Sequence, residues 1–365
     1  MKKALLIGCG AEIGSNIVLL SMMKNFGFCI DTIVNQTINN DKFFPNLNQA
    51  HSIAARLEMA HPLKINDVQV ISENKISVFG NKIDLIFKSL QDFISEEIEK
   101  KWDIIILATS KSHLQDKMLI NKLEKIGDYI FGMAESKIMT NIYPALLGFD
   151  NKFIQIEKIK PNQKSFALGS CQTNGWLAQF RSILYIMHEL PNFSVRRVEI
   201  DIIHPDTPTG RLGTKSFSPR EQDSRNNLRP SFSQIELAMK RIIPNIDAFH
   251  SVSLRVPVEE PGYQINKTYF TGDMTEEFIV SLEDKFRNFS NKYNHIASFS
   301  DLPLGSKAYK YRESICYILP KPYLKLNQDC FNLKPKINQI ITQAYVSNVY
   351  AYCFNALKTI QFIAS

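Results

Sequence analysis

The chain has 365 residues, of which 44% are hydrophobic, and it carries a net charge of +7. This length predicts two domains, and the apolar content is enough for a sizeable core, which excludes a largely disordered chain. The basic residues form no dense block interleaved with aromatic residues, so we expect no nucleic-acid partner.

The six cysteines and the apolar runs predict the compartment. The cysteines form no Cys-x-x-Cys pair and show no metal-ligand spacing, so we expect reduced thiols and no metal. The apolar segment before Cys9 is shorter than the ~7–15 residues of a secretory signal, and no run reaches the ~18 apolar residues of a membrane span. We therefore expect a cytoplasmic protein without a membrane partner.

The N-terminal segment predicts a dinucleotide-binding turn. Residues 4–7 have the composition of a buried strand, and an apolar helix at 17–23 follows a glycine-containing turn. Glycines at such a turn let the backbone approach a pyrophosphate held at the helix N-terminus. Gly14 follows Gly10 by four positions rather than three, so an ordinary turn is the alternative interpretation. The candidate cofactor contacts here are Gly8, Gly10, Glu12, Ile13 and Gly14.

The next predicted strands add further cofactor contacts. Residues 28–34 end at Asn35 and Gln36, where an NAD site usually has an acidic residue, so NAD and NADP both remain open. Residues 104–109 form an uninterrupted apolar run typical of a central parallel strand, with Thr109 and Ser110 at its carboxyl end. Strands alternating with helices predict an α/β, doubly wound, Rossmann-type dinucleotide-binding domain.

A cysteine lies where the second half begins. The apolar residues 166–168 precede Cys171, and a helix-like run covers 176–190, which predicts a strand, a tight turn and a helix. The positive end of a helix dipole favours a thiolate at its N-terminus. The alternative is that Cys171 packs as a small buried apolar residue.

The rest of the chain predicts an α+β domain. Its expected strands cover 195–203, 251–258 and 314–319, and its expected helices cover 232–242 and 275–290. We expect a final helix over 339–363, apolar on one face, that returns to the first domain. The predicted domains are therefore 1–168 with about 339–365, and 169–338.

Several motifs resemble those of the glyceraldehyde-3-phosphate dehydrogenase family. Residues 169–174, Gly-Ser-Cys-Gln-Thr-Asn, are similar to its Ser-Cys-Thr-Thr-Asn, and residues 204–209 resemble its His-x-x-Thr-x-Thr. Residues 227–244 resemble its Asn-Ile-Ile-Pro segment and the following helix, and residues 253–257 resemble its Phe-Arg-Val-Pro. The resemblance spans most of the chain and is firm over 165–258. An erythrose-4-phosphate dehydrogenase is a related possibility.

This resemblance implies an enzyme that oxidises a phosphorylated aldehyde with NAD or NADP, on a catalytic domain with a mostly antiparallel sheet. It makes Cys171 the nucleophile, which forms a thiohemiacetal and then a thioester, and His204 the base. It assigns the substrate phosphate to Thr207, Thr209 and Arg255. The site for attacking inorganic phosphate would comprise Ser170, Gln172, Thr173, Ser233 and Gln234. The family also implies a homo-oligomer, either a dimer or a tetramer.

Three positions depart from the family's motifs. Gln172 replaces a Thr, Gln234 stands where the family has Gly, and Thr342 aligns with the Asn that holds the nicotinamide amide. Phosphate and water therefore both remain open as acceptors of the acyl group. The alternatives are a non-phosphorylating, hydrolytic aldehyde dehydrogenase and an inactive member that binds NAD(P) and sugar phosphates. The identity of the aldehyde also remains open.

Overall fold

The computed structural model describes residues 1–37, 47–61, 67–96, 99–205, 228–231, 233, 235–302 and 304–365. Its helices are α1 Glu12–Met23, α2 Gln49–Ala60, α3 Leu90–Ser95, α4 Lys117–Ile126, α5 Cys171–Met187, α6 Ile235–Ile242, α7 Glu276–Val280, α8 Leu282–Lys292 and α9 Tyr350–Ala364. Short 3₁₀ helices lie at His113–Gln115, Pro144–Leu146 and Ser306–Tyr309. Among these described residues, no helix has the length and apolar character required to cross a bilayer.

The first sheet is rich in parallel pairs and contains the N-terminal strands. Its strands are β1 Lys2–Ile7, β2 Phe28–Asn35, β3 Val68–Ser72, β4 Lys75–Val78, β5 Asn81–Phe87, β6 Trp102–Leu107, β7 Gly127–Gly132, β8 Thr140–Asn141 and β9 Ser165–Ala167, in the order β3-β4-β5-β2-β1-β6-β7-β9-β8. Strand β1 pairs in parallel with both β2 and β6. The hairpin of β3 and β4 is antiparallel. Residues 104–107 are fully buried, as expected of a central strand with helices on both faces.

The second sheet is mixed. Its strands are β10 Ser194–His204, β11 Arg229–Pro230, β12 Ala248–Arg255, β13 Gly262–Thr271, β14 Ala297–Phe299, β15 Cys316–Ile318, β16 Lys325–Asn327 and β17 Asn338–Val346. Seven of them follow the order β11-β12-β10-β13-β17-β15-β14, and β16 pairs with β17 beside this path. The pairs β10–β12 and β14–β15 are parallel, whereas β10–β13 and β13–β17 are antiparallel. The fold is therefore mixed α/β, with one large parallel-rich sheet and a second mixed sheet.

The C-terminal prediction was wrong in part. We expected a helix over 339–363, but the first part of this segment belongs to strand β17 and only α9 is helical. Residues 338–346 alternate between buried and partly buried because successive side chains point to opposite faces of the sheet, in which β17 pairs with β13 and β15. The buried side chains of α9 lie in one core with those of β1, β2 and α1.

Candidate functional site

A cavity of about 740 Å³ lies where the glycine turn after β1 meets the start of α5. Most of the residues predicted from the sequence line it: Gly8, Gly10, Glu12, Ile13, Asn35, Gln36, Thr109, Ser110, Ser170, Cys171, Gln172, His204, Ser233 and Arg255. Gly14, Thr173 and Thr342 do not line it. Thr207, Thr209 and Gln234 lie outside the described residues.

The turn before α5 is fixed by side chains of the Cys171 motif itself. Gly169 has a φ of +70°, and a Cβ there would lie 2.6 Å from the Tyr143 ring, so glycine is required. Ser170 is the N-cap of α5, and its Oγ accepts the backbone N–H of Thr173 at 3.1 Å. Asn174 Nδ2 donates to the carbonyls of Leu168 and Ser170. Thr173 and Asn174 therefore hold the turn and leave Cys171 at the cavity wall.

Cys171 is the first residue of α5 and is partly buried. Burial raises the pKa of the Cys171 thiol, hydrogen bonds from Asn348 and from the backbone N–H of Gln172 lower it, and the nearby Glu260 raises it. The net effect is a raised pKa of the Cys171 thiol, which contradicts the expectation that the helix N-terminus favours the thiolate. The helix N-terminus does supply N–H donors, but removing the thiolate from water outweighs them.

His204 and Arg255 come from neighbouring strand ends. In the parallel pair β10–β12, His204 lies directly opposite Arg255, and each is the last residue of its strand. Arg255 is 6% exposed, and its Nη1 donates to the carbonyl of Pro205 at 2.7 Å. An imidazole and a buried guanidinium thus reach the cavity from the same sheet edge as neighbours. Such a pair suits proton transfer beside an anion.

The glycine turn is packed too closely for side chains. Gly8 has a φ of +95°, and a Cβ there would lie 2.6 Å from the carbonyl oxygen of Ala108. A Cβ on Gly14 would lie 1.9 Å from the carbonyl oxygen of Gly8. Gly14 therefore lets α1 approach the loop after β1 and does not itself face the cavity. Gly14 thus allows close packing between the helix and the strand–loop segment before it.

Asn35 braces this turn. Its Oδ1 accepts the backbone N–H groups of Cys9 and Gly10, each at 3.2 Å, and its Nδ2 donates to the carbonyl of Gln36. The first turn of α1 has no side-chain cap, because the N-cap residue is Ala11. A pyrophosphate would therefore be bound by the first N–H groups of α1, while Asn35 holds the loop.

Three polar atoms of residues that line the cavity have no hydrogen-bond partner. They are Thr109 Oγ1, His113 Nδ1 and Gln172 Nε2, all buried. Unpaired buried polar groups cost about 1–3 kcal/mol each. Each of these atoms is itself buried, so a ligand in the cavity would reach it only if the side chain rotated.

A chain of buried amides connects Gln172 to Thr342. Thr342 Oγ1 donates to Gln179 Oε1, Gln179 Nε2 donates to Gln264 Oε1, and Gln264 Nε2 donates to the backbone carbonyl of Gln172. Thr342, predicted to contact the cofactor, is buried and does not line the cavity, and its hydroxyl donates to Gln179 on α5. Gln172 Oε1 also accepts from Gln264 Nε2, which leaves Gln172 Nε2 as the unpaired atom.

Sequence reasoning missed several residues of the cavity. Asn348, Lys88, Ser89 and His113 line it but were not predicted as contacts. Lys88 and Ser89 directly follow β5, which was not assigned as a strand from the sequence. Asn348 fell inside the predicted helix over 339–363, whereas in the structure it lies in the break between β17 and α9. Among the described residues, no group of three or more His, Cys, Asp or Glu side chains could hold a metal ion.

A carboxyl group lies behind the cavity at the start of α9. Glu260 Oε2 accepts the backbone N–H of Val349 at 2.7 Å. Desolvation and the nearby Glu12 carboxylate raise the pKa of Glu260 to about 8. The Glu260 carboxyl is therefore mostly protonated in the folded protein at neutral pH.

We expect Glu260→Gln to stabilise the protein increasingly as the pH rises from ~4.3 to about 8, and by a constant amount above that. The pKa of Glu260 is raised on folding to about 8, so its contribution is fully present below the unfolded value of ~4.3 and is lost as the pH rises through the folded value. The free energy of unfolding of Glu260→Gln should exceed that of the wild type at both pH 5 and pH 9, and the excess should be about 1–3 kcal/mol larger near pH 9. Urea unfolding at both pH values measures this difference.

The adjacent Glu259 supplies the control. Its side chain is 75% exposed and paired with Lys310, and this pairing lowers the pKa of Glu259. Glu259→Gln should therefore show the same difference from wild type at both pH values. A Glu260→Gln difference that does not grow with pH would contradict the raised pKa.

Comparison of the chain with protein-family models and with curated proteins found no match.

Proposed function

We propose that this protein oxidises a phosphorylated aldehyde with NAD or NADP through a covalent intermediate on Cys171. One observation carries the proposal: a single cavity is lined both by the glycine turn and by Cys171, His204 and Arg255. A nucleophile, a base and an anion-binding cation therefore face the space beside a dinucleotide-type turn. The motif resemblance to glyceraldehyde-3-phosphate dehydrogenases supports the same reaction, with the first sheet as a Rossmann-type domain.

The proposed chemistry begins at the sulfur. The Cys171 thiolate adds to the aldehyde carbon, and His204 transfers a proton to and from the resulting hydroxyl. A bound nicotinamide would accept the hydride whose loss converts the thiohemiacetal on Cys171 to a thioester. The first N–H groups of α1 would hold its pyrophosphate, and Thr109 and His113 line the same cavity.

The substrate phosphate is assigned to Arg255. Its guanidinium is buried and lies opposite His204 in the sheet register, so an anion bound there sits beside the base. The resemblance adds Thr207 and Thr209 to the same site. Release of the acyl group then needs phosphate or water near Ser170, Gln172 and Ser233, which line the cavity.

A second candidate is a protein that binds NAD(P) and sugar phosphates without redox activity. The observation that favours it is the raised pKa of the Cys171 thiol, which lowers the thiolate fraction at neutral pH. The two candidates share the cavity and differ only in turnover.

The test is formation of reduced nicotinamide from a panel of phosphorylated aldehydes with NAD and NADP, with and without inorganic phosphate. We expect turnover with at least one phosphorylated aldehyde and a lower kcat/KM for its non-phosphorylated analogue. Arg255→Ala should lower kcat/KM for the phosphorylated aldehyde by about 100-fold, since a charged hydrogen bond contributes about 1.5–3 kcal/mol. The kcat/KM of Arg255→Ala for the non-phosphorylated analogue should fall far less.

Arg196→Ala is the matched control, because Arg196 lies on the same sheet but pairs with Asp247 at its surface. Its kinetics should equal those of the wild type. Equal losses for both substrates in Arg255→Ala would remove the phosphate-binding role. Ligand-induced thermal stabilisation without turnover on any aldehyde would favour the binding protein.

A further inference from the structure

Asn348 is a buried residue that lines the cavity just before α9. Its Nδ2 lies 3.6 Å from Cys171 Sγ, a distance that suits an N–H···S hydrogen bond. Its Oδ1 accepts the backbone N–H of Gly262 at 2.9 Å. A backbone N–H can only donate, so this bond fixes the carbonyl oxygen of Asn348 at Gly262. The amino group of Asn348 is thereby directed to the sulfur.

The segment before β13 holds Asn348 in this orientation. Gly262 leaves no space for a side chain, since a Cβ there would lie 2.9 Å from Asn348 Oδ1 and 2.9 Å from the carbonyl oxygen of Ile203. Two residues earlier, Glu260 accepts the backbone N–H of Val349. Residues 348 and 349 are thus each bound to residues 260–262. Asn348 is fixed by packing and by hydrogen bonds rather than by chance contact.

Cys171 lies among other ionisable groups. Glu260, Tyr352 and Cys353 are acidic groups that interact electrostatically with Cys171 or with each other. His204 and Arg255 line the same cavity as cations or potential cations. Glu260 is mostly protonated at neutral pH, so burial is the main effect that disfavours the thiolate there. A neutral amide donor stabilises the thiolate at every pH.

We propose that Asn348 is a further catalytic residue, whose amide N–H donates to Cys171 Sγ and stabilises the thiolate that attacks the substrate. This inference rests on the proposed role of Cys171 as nucleophile. The carboxamide of Asn348 adds a side-chain donor to the backbone N–H of Gln172, which donates to the same sulfur. The proposed hydrogen bond from the Asn348 amide to Cys171 Sγ does not depend on which aldehyde is bound.

The test is the rate of iodoacetamide labelling at Cys171, resolved by peptide mass spectrometry and measured as a function of pH. Asn348→Asp keeps an acceptor for Gly262 but replaces the donor with an anion, so labelling at neutral pH should slow by about 10-fold or more. Its pH midpoint should rise by about one unit. Asn348→Ala should slow labelling by about 3–10-fold. Gly262→Ala keeps Asn348 but displaces its oxygen, and should also slow labelling.

Asn355→Ala is the matched control. Asn355 is a buried Asn of α9 whose Nδ2 donates to the carbonyls of Glu313 and Ala351, so its loss perturbs the same helix without removing a donor to Cys171. Its pH midpoint should equal that of the wild type. An unchanged midpoint in both Asn348→Ala and Asn348→Asp would overturn the proposal, and so would an equal shift in Asn355→Ala.

Labelling requires neither aldehyde nor dinucleotide, so this result is separable from the proposed function. A wild-type protein without turnover but with an Asn348-dependent midpoint would support the thiolate donor and refute the dehydrogenase. Turnover together with a labelling midpoint that does not depend on Asn348 would support the dehydrogenase and refute the thiolate donor. Should Asn348→Asp fail to fold, as judged by thermal melting, Gly262→Ala and Asn348→Ala decide the question.

Discussion

Replacing Cys171 with serine is expected to reduce aldehyde oxidation by a factor on the order of 10³ or more, with dinucleotide binding retained. A serine hydroxyl at the start of α5 is far less acidic than a thiol, and no covalent adduct would form at a useful rate. The glycine turn lies on the other sheet and does not depend on the sulfur. Steady-state kinetics and thermal shift with NAD and NADP measure the two effects separately.

Cys29→Ser and Cys330→Ser are the controls for this prediction. Both cysteines are partly exposed, as Cys171 is, so they are the other thiols accessible to a reagent. Neither lines the cavity, and both variants should keep full activity. Activity retained in Cys171→Ser, or lost in either control, would place the nucleophile elsewhere.

Gly14→Ala is expected to destabilise the protein by about 3 kcal/mol or more and to abolish dinucleotide binding. The added Cβ would lie 1.9 Å from the carbonyl oxygen of Gly8 and 2.9 Å from Cys9 Cα, and both of these are backbone atoms that cannot rotate away. Alanine would otherwise favour a helix by about 1 kcal/mol, so the clash decides the sign. Urea unfolding and ligand-induced thermal shift measure the two losses.

Gly305→Ala supplies the comparison. A Cβ at Gly305 would meet no atom within 4 Å, and its φ lies outside the left-handed region. Its stability should stay within about 0.5 kcal/mol of the wild type. If Gly14→Ala unfolded at the same urea concentration as Gly305→Ala, α1 could not lie as close to the loop as described.

Local patterns predicted the first sheet well. The run at 104–107 is apolar without interruption because its neighbours β1 and β7 and the flanking helices bury it on both faces. The glycines at 8 and 14 also signalled a turn that only they can form. Cys171 was correctly expected at a helix start, since Gly169 and Ser170 are the residue types that such a turn requires.

Long-range packing explains what the sequence could not predict. Tyr345 fitted the apolar spacing of a helix together with Val349 and Tyr352, but it lies on β17, between β13 and β15. The pKa of Cys171 depends on burial that only the tertiary structure creates. Asn348 acquires its orientation from Gly262, which is distant in sequence.

The position of α9 has a consequence for biosynthesis. α9 covers α1 and shares its core with β1, although the ribosome makes α1 far earlier than α9. At a synthesis rate of ~5–20 residues per second, the apolar side chains of α1 stay without their contacts to α9 for a time on the order of tens of seconds. We therefore expect the nascent N-terminal segment to need a chaperone during translation. In a circular permutant whose chain begins with α9 and continues into β1, the nascent N-terminal segment should not need a chaperone.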